Sequence, residues 1–525
     1  MLANLWQFVN SDTGEYGGKQ GRWHMFDNGQ TLIAAASRNG RATALSDGEV
    51  ACDYDRLLDR ASRLVTLFDQ VGLKQGDRLM VVMQNRLDMV LLYWATQLAG
   101  VVFAPVNWRV KPPELDYFLN DSGASAIAYC PAGMQAVAQS ATAKNLAQIE
   151  IGEGSDDLGL EARISSLLVA EGLPRAKPEM LSVLLYTSGT TGPGKGVPRT
   201  HHAERQAALA HVAQNAYLSG ESLLGIMPLY HTMGVRSALG MALVNGHFVC
   251  QRRFDAGQSI ELIARHGVSS LYLVPTLYHD ILAHESFSKD RILSVRKIGF
   301  AGAAMTEDLL LKVDEAFRPQ LFVNHYGSSE IYTFTVNQNA AAKPGSAGRA
   351  GINSIIRVVP LDAATANEEV VTGELGHIIA RLSSDEAFSG YWHRPDADAK
   401  VLRDGWYFTG DLGYLDADGE LFVTGRADDM IISGGENILP TEIESMLSLH
   451  PSVMDVAVVG LLDKRFGQKV TAYVVASDGV DAEALDLWCR QSSLANFKRP
   501  RDYVFVDVLP RSPVGKLLRR MLVNA

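Results

Sequence analysis

The chain has 525 residues, 47% of them apolar and 20% charged, with a formal net charge of −11. That composition excludes wholesale disorder, and the length predicts several structural units rather than one core. The acidic balance argues against non-specific nucleic-acid or anionic-membrane binding as the main activity, because both need a basic surface. Four cysteines, Cys52, Cys130, Cys250 and Cys489, form no C-x-x-C pair. They imply neither a disulfide framework nor a zinc site, and read as buried small hydrophobes of a reducing, cytoplasmic compartment. The N-terminus shows no basic segment followed by an apolar one, so no signal peptide is expected.

Tyr54 to Val71 carries Leu57, Leu58, Ala61, Leu64, Leu67 and Phe68 at helical spacing, and RLMVVM follows as a strand. Met89 to Trp108 is 20 residues without a charge, the length of a membrane span. Gln97, Gly100, Pro105 and Asn107 within it predict instead a buried helix to Ala99, a stop at Gly100 and the strand VVFAPV. No stable membrane insertion is expected. A helix near Pro113–Leu119 precedes the strands ASAIAYC and SVLLY. Beyond residue 200 come a helix over Ala203–Tyr217, the strands LLGIMP, HFVC, SLYLVP and KIGFAG, and a helix over Ile260–His266. Such alternation predicts an α/β fold: a large N-terminal domain of mostly parallel sheets with helical cover. Short strands and Gly/Asp turns (GELGHIIA, GWYFTGDLGYLDADGELFVTG) predict a β-rich subdomain over about 345–427. The boundary is placed between 427 and 428, giving domains 1–427 and 428–525. The second is a small mobile α+β unit with a helix after Pro440, strands VAVVG, VTAYVVA and YVFVDV, and a helix over Ala482–Arg490.

The strongest chemical signal is TSGTTGPGKG, Thr187–Gly196, directly after SVLLY. Glycines let backbone N–H groups approach an anion, hydroxyls add donors, and Lys195 adds charge. The spacing also fits G-x-x-x-x-G-K. Gly196 stands where a Walker loop needs a Ser or Thr for Mg²⁺, and Pro198 opposes the helix that should follow, so an NTPase P-loop is rejected.

This loop resembles the signature of the adenylate-forming superfamily, which contains acyl-CoA synthetases, firefly-type luciferases and peptide-synthetase adenylation domains. The family usually has Pro directly before the lysine; here Gly194 intervenes between Pro193 and Lys195. Further motifs follow in the family's order: YGSSE (Tyr326–Glu330), YFTGD (Tyr407–Asp411), GRADDMIISGGENILPTEIE (Gly425–Glu444) and SPVGKLLRR around Lys516. The resemblance implies that Thr187, Ser188, Gly189, Thr190, Thr191 and Gly192 bind the phosphates of ATP with Lys195. It places adenine on Tyr326 and Gly327, the α-phosphate on Ser329, Mg²⁺ on Glu330, and the ribose on Asp411 and Arg426. Asp428 would be the hinge about which the C-terminal domain turns, and Lys516 the catalytic lysine of adenylation.

The C-terminal region is similar to that of bacterial 4-chlorobenzoate–CoA ligases. This implies coenzyme A bound by Arg109, Gly434, Gly435, Phe466, Phe497, Arg499 and Arg501, with Phe466 where those enzymes have Trp. His231 of MPLYHTMG would gate the carboxylate pocket as a catalytic residue, with Thr232, Met233, Ala301, Gly302, Asn324, His325 and Tyr332 as pocket walls. The expected activity is ATP-dependent acid–CoA ligation through an acyl-AMP, with a benzoate-like acid carrying a hydroxyl, amino or halogen group as substrate. His325 and Tyr332 are open between meeting a ring substituent and packing as core. Alternatives are a synthetase for short or medium aliphatic or alicyclic acids, and a stand-alone adenylation enzyme loading a carrier protein. The expected partner is the small carboxylic acid, and a homodimer is left open.

Overall fold

The computed structural model describes residues 25–152, 160–187, 194–363, 365–477, 479–511 and 517–523. Its strands form three sheets, of fourteen, six and five strands among the described residues. The six-stranded sheet runs Ala147–Glu150, Ala126–Tyr129, Arg78–Val82, Val102–Val106, Leu181–Thr187 and Lys195–Thr200. All neighbours are parallel except the last two, which form a hairpin. The charge-free segment behaves as its sequence predicts. Leu87–Ala99 is a helix buried along nearly its whole length, Gly100 ends it at φ 69°, and Val102–Val106 is a fully buried strand. No helix among the described residues is long and apolar enough to cross a membrane.

The largest sheet has a parallel half and an antiparallel half. The parallel strands include Thr43–Asp47, His247–Cys250, Ser222–Gly225, Ser270–Leu273, Lys297–Ala301 and Leu321–Tyr326. Thr335–Asn337 then pairs with Ser346–Ala350, which pairs in turn with Leu421–Arg426 and so with Trp406–Leu415. The β-rich stretch is thus stitched edge to edge onto the parallel half instead of lying apart as a separate layer. One hydrogen-bonded surface carries both the Tyr326 and the Asp411 motifs.

The five-stranded sheet is built entirely from residues beyond Asp429. Its strands alternate, as a period of two requires. Val456, Val458, Val470, Ala472 and Val474 face the helices Pro440–Ser448 and Ala482–Gln491, while Ala457, Val459 and Tyr473 face Leu509 and Leu522. All four cysteines are free and buried.

Candidate active site

The glycine-rich loop joins two antiparallel strands in which Thr187 pairs with Lys195. Ser188, Gly189, Thr190, Thr191 and Gly192 lie outside the described residues. No helix follows the lysine: Lys195–Thr200 is a strand, and the next helix starts at His201 with the Thr200 hydroxyl as its cap. The rejection of a Walker loop therefore holds. A Cβ on Gly194 would stand 2.8 Å from the Thr187 carbonyl oxygen and 3.2 Å from the Phe118 ring, so the strand ends approach at a glycine's distance. Tyr117 Oη donates to the Gly194 carbonyl at 3.0 Å.

Lys195 Nζ lies 4.1 Å from the centre of the Tyr391 ring, and Tyr391 Oη donates to Glu330 Oε1 at 2.6 Å. Burial pushes the Lys195 ammonium below its ordinary value, against the pull of the Glu330 charge. Glu330 is 6% exposed, and its backbone carbonyl accepts from Phe388 N at 2.8 Å and Arg199 Nη1 at 3.2 Å. Ser329 precedes it on the turn after Leu321–Tyr326. A Cβ on Gly327 would meet the Tyr332 carbonyl oxygen at 2.1 Å, so this turn closes only with glycine.

Tyr326, Asp411 and Arg426 come together. Tyr326 Oη donates to Asp411 Oδ2 at 2.6 Å, and Arg426 Nη1 donates to Asp411 Oδ1 at 2.9 Å and to the Thr409 carbonyl at 3.0 Å. Asp411 and Arg426 are cross-strand partners, which fixes the pair. Each carboxylate oxygen keeps a second lone-pair direction, so Asp411 can accept two more hydroxyls.

On the acid side, His231 is the N-cap of the helix Thr232–Leu243, with its N–H on the Pro228 carbonyl at 2.9 Å. Met233 and Ala301 are buried. A Cβ on Gly302 would have only Val274 at 3.3 Å and the Met233 sulfur at 4.0 Å near it. Asn324 and His325 are successive residues of one strand, so their side chains leave on opposite faces. Asn324 Nδ2 donates to the Ser346 carbonyl at 2.9 Å. His325 Nε2 lies 3.0 Å from Asn215 Nδ2, and burial pushes the ring's pKa well below the ordinary histidine value. The Tyr332 ring lies 4.0 Å from the Arg199 guanidinium carbon and 5.7 Å from that of Arg236. Both His325 and Tyr332 are thus held in a buried layer.

Arg109 stacks 3.8 Å over Trp108 and lines a cleft of about 290 Å³ with Tyr230, Met227 and Arg253. Burial pushes the Tyr230 phenol up to about 12. Gly434 and Gly435, at φ 62° and 91°, form the two-residue turn between Ile431–Ser433 and Glu436–Ile438. Gly434 N donates to the Phe466 carbonyl at 2.8 Å, and the Arg501 guanidinium lies 5.6 Å from the Phe466 ring. Phe497 is 44% exposed. The Arg499 guanidinium pairs with Asp486, a helix residue thirteen positions earlier, and lines a surface cleft with Arg501. Asp428 is exposed in the short turn Ala427–Asp429. Lys516 lies outside the described residues; Arg519, three positions on, pairs with Asp429 and Glu444.

Three residues of this constellation carried no motif. Tyr391 and Arg199 hold Glu330, and Arg236 sits under Tyr332. Arg236 alone had a local signal, being the one charge in the helix TMGVRSALGMAL.

The AMP-binding enzyme family model matches residues 32–392, and the AMP-binding enzyme C-terminal domain model matches 442–516. Among curated relatives, a 4-chlorobenzoate–CoA ligase of Arthrobacter is 32% identical over 94% of both chains. A feruloyl-CoA synthase of Amycolatopsis is 34% identical over 94% of this chain and 97% of its own. A long-chain-fatty-acid–CoA ligase of Mycobacterium tuberculosis is 30% identical over 90% of this chain and 93% of its own. The ATP-bound MatB structure from Rhodopseudomonas palustris superimposes with a TM-score of 0.86 at 27% identity, covering 95% of this chain and 99% of that one. Matched by the family model over more than half its length and by relatives of 30–34% identity over nearly all of it, the chain belongs to the AMP-binding enzyme family as an AMP-forming acyl-CoA synthetase that uses ATP, coenzyme A and a small carboxylic acid.

Proposed function

We propose that the acid is a compact aromatic carboxylate. The carrying observation is a buried aromatic layer: Tyr272, His325 and Tyr332 are each at most 3% exposed, Tyr272 meets the His325 ring edge-on at 5.3 Å, and Arg236 donates to both Tyr272 Oη and the Tyr332 carbonyl, which leaves no passage there for a long chain. Ala301 and Gly302 add little bulk to the proposed pocket, which suits a flat ring. The 4-chlorobenzoate and feruloyl enzymes support this reading by their names, whereas the fatty-acid ligase favours the aliphatic alternative.

In the first step a carboxylate oxygen attacks the α-phosphorus of ATP, forming acyl-AMP as the bond to pyrophosphate breaks. In the second a thiolate attacks the acyl carbon and AMP leaves. The first step brings two anions together, so positive charge must offset their repulsion. Lys195 and Lys516 would supply it. Asp411 and Arg426 would hold the ribose, Tyr326 the adenine, and Ser329 the α-phosphate. Among the described residues no cluster of three or more His, Cys, Asp or Glu side chains could hold a metal. Glu330, a hard oxygen donor, would hold Mg²⁺ together with the phosphates of the substrate. That ion would neutralise phosphate charge. His231 would stand beside the reacting carboxylate, while Arg109, Phe466, Phe497 and Arg501 would meet coenzyme A. The domains are taken as 1–427 and 428–525, with Asp428 the hinge.

The test is pyrophosphate release with ATP and Mg²⁺ across benzoates, cinnamates, cyclohexanecarboxylate and straight-chain acids, each with and without coenzyme A. Release confined to ring acids and stimulated by coenzyme A is the expected result. Fastest turnover of octanoate would remove the aromatic reading.

A further inference from the structure

The side chain of Tyr391 touches two groups of opposite charge. Its ring carries the Lys195 ammonium 4.1 Å from the centre, a cation–π distance. Its hydroxyl donates to Glu330 Oε1 at 2.6 Å. Lys195 and Glu330 attract one another, yet no ion pair joins them, and Lys195 forms none with any other described residue. Glu330 Oε2 accepts no hydrogen bond among the described residues. One oxygen of this carboxylate is therefore held and the other is open, which fits a hard cation that arrives with phosphate oxygens.

Tyr391 is itself held from several sides. Its N–H donates to Asp398 Oδ1 at 2.8 Å, and its ring meets Phe388 edge-on at 5.1 Å. Gly390 precedes it at φ 122°, and a Cβ there would stand 2.7 Å from Asp398 Oδ2, so the turn into Tyr391 favours glycine. The next residue locks the loop side. Trp392 N donates to the Gly196 carbonyl at 2.8 Å, and Trp392 Nε1 donates to the Asp121 carbonyl at 3.0 Å. Gly196 follows Lys195 directly, and a Cβ on it would stand 2.9 Å from Trp392 Cβ. The backbone that bears Tyr391 is thus tied to the strand that bears Lys195, and its hydroxyl to the turn that bears Glu330.

We propose that Tyr391 is a positioning residue of the adenylation step: its hydroxyl fixes Glu330 Oε1 and its ring holds Lys195, so that the two charges do not close on each other and Glu330 Oε2 is presented to the Mg²⁺ that accompanies ATP. This rests on the placing of Mg²⁺ on Glu330 above. Tyr391 acts through the two groups it separates. Without the hydroxyl, Glu330 loses a charge-assisted hydrogen bond, and Lys195 is the cation at hand to replace it. A direct Lys195–Glu330 pair would take the lysine from the phosphates and the carboxylate from the metal.

The experiment measures the affinity for α,β-methylene-ATP, which cannot be cleaved where adenylation cleaves ATP, by isothermal titration calorimetry in excess Mg²⁺ and again in EDTA. The ratio of the two dissociation constants reports what the metal adds to nucleotide binding. Phenylalanine keeps the ring and its packing, so Tyr391→Phe differs from the parent by one hydroxyl. Its ratio is expected to fall about 10- to 100-fold, the scale of losing a group that orients a metal ligand. Adding Lys195→Met removes the partner of the collapsed pair, so the double variant should recover part of the ratio. A merely structural tyrosine would shift both dissociation constants together and leave the ratio fixed. An unchanged ratio in Tyr391→Phe overturns the proposal, and so does a double variant no better than the single. Glu330→Gln is the reference. A fallen ratio there with an unmoved one in Tyr391→Phe leaves Mg²⁺ on Glu330 and removes only the role of Tyr391. A ratio that Glu330→Gln does not move removes the metal placement and this proposal with it.

Discussion

Replacing Arg199 by Met isolates the energy stored beneath Glu330. Arg199 and Glu204 are both fully buried and 2.8 Å apart, and Glu204 Oε2 has no other partner. Arg199 also donates to the backbone carbonyls of Glu330 and Glu386 and lies 4.0 Å over the Tyr332 ring. Methionine refills most of the volume but leaves a bare carboxylate in a dry site. Breaking one side of such a pair costs about 3–5 kcal/mol. With an unfolding entropy of about 2 cal/mol/K per residue over about 400 residues, that lowers the melting temperature by about 4–6 °C. Adding Glu204→Gln removes the stranded charge, so the double variant should recover more than half of the loss, a coupling of about 2 kcal/mol or more. Thermal unfolding of the four proteins by circular dichroism, with pyrophosphate release measured in parallel, completes the cycle. A single variant within about 1 °C of the parent, or a double variant no more stable than the single, would refute the assignment of a buried, uncompensated charge.

Gly327→Ala should cost adenylation about 100-fold, because the Tyr332 carbonyl stands 2.1 Å from the new Cβ and the YGSSE turn must move by about 1 Å; activity within threefold of the parent would contradict this. Lys516→Ala should lose acid-dependent pyrophosphate release by orders of magnitude yet still form thioester from supplied acyl-AMP, and equal loss in both steps would end that division of labour. Asp428→Pro should keep adenylation and impair thioester formation; a variant normal in both half-reactions would remove the hinge. Acid should destabilise the fold through its buried neutral histidines. Burial holds His201 at about 3 and His247 at about 4, and keeps His211 and His325 well below the usual range. Unfolded histidine binds its proton near pH 6.5, so this stability is present above that value and is lost as pH falls toward the folded pKa. Each such histidine costs about 1.4 kcal/mol one pH unit lower. Melting temperatures that stay level from pH 7 to pH 5 would contradict the burial of these rings as neutral species.

The alternation of helix and strand, the stop at Gly100 and the absence of a helix directly after the glycine-rich loop were legible because each rests on a local pattern. A polar residue or glycine interrupts an apolar run, or Pro198 opposes a helix. The Tyr326–Asp411–Arg426 triad was legible only through motif resemblance, since Tyr326 and Asp411 lie 85 positions apart and meet through sheet pairing. What the sequence did not announce was non-local or a matter of period: Asp486 reaches Arg499 from another element, and Asn324 and His325 leave their strand on opposite faces. Tyr391 gave no warning at all. Arg236 did, as a lone charge inside an apolar helix, but its partners, Thr333, Tyr272 and the Tyr332 carbonyl, lie on other elements.

Arg426 is the last residue of the large sheet before the turn Ala427–Asp429, and it is riveted to Asp411 and to the Thr409 carbonyl. At the other end of the turn, Asp429 is fastened to Arg519, which also grips Glu444. The turn is a short strap between two anchored ends. The helix Pro440–Ser448 also reaches back across the strap, where the Thr441 hydroxyl donates to the Thr424 carbonyl of the strand that ends at Arg426. A small unit that turned about Asp428, as proposed, would have to part that bond, so the strap alone does not set how freely it turns.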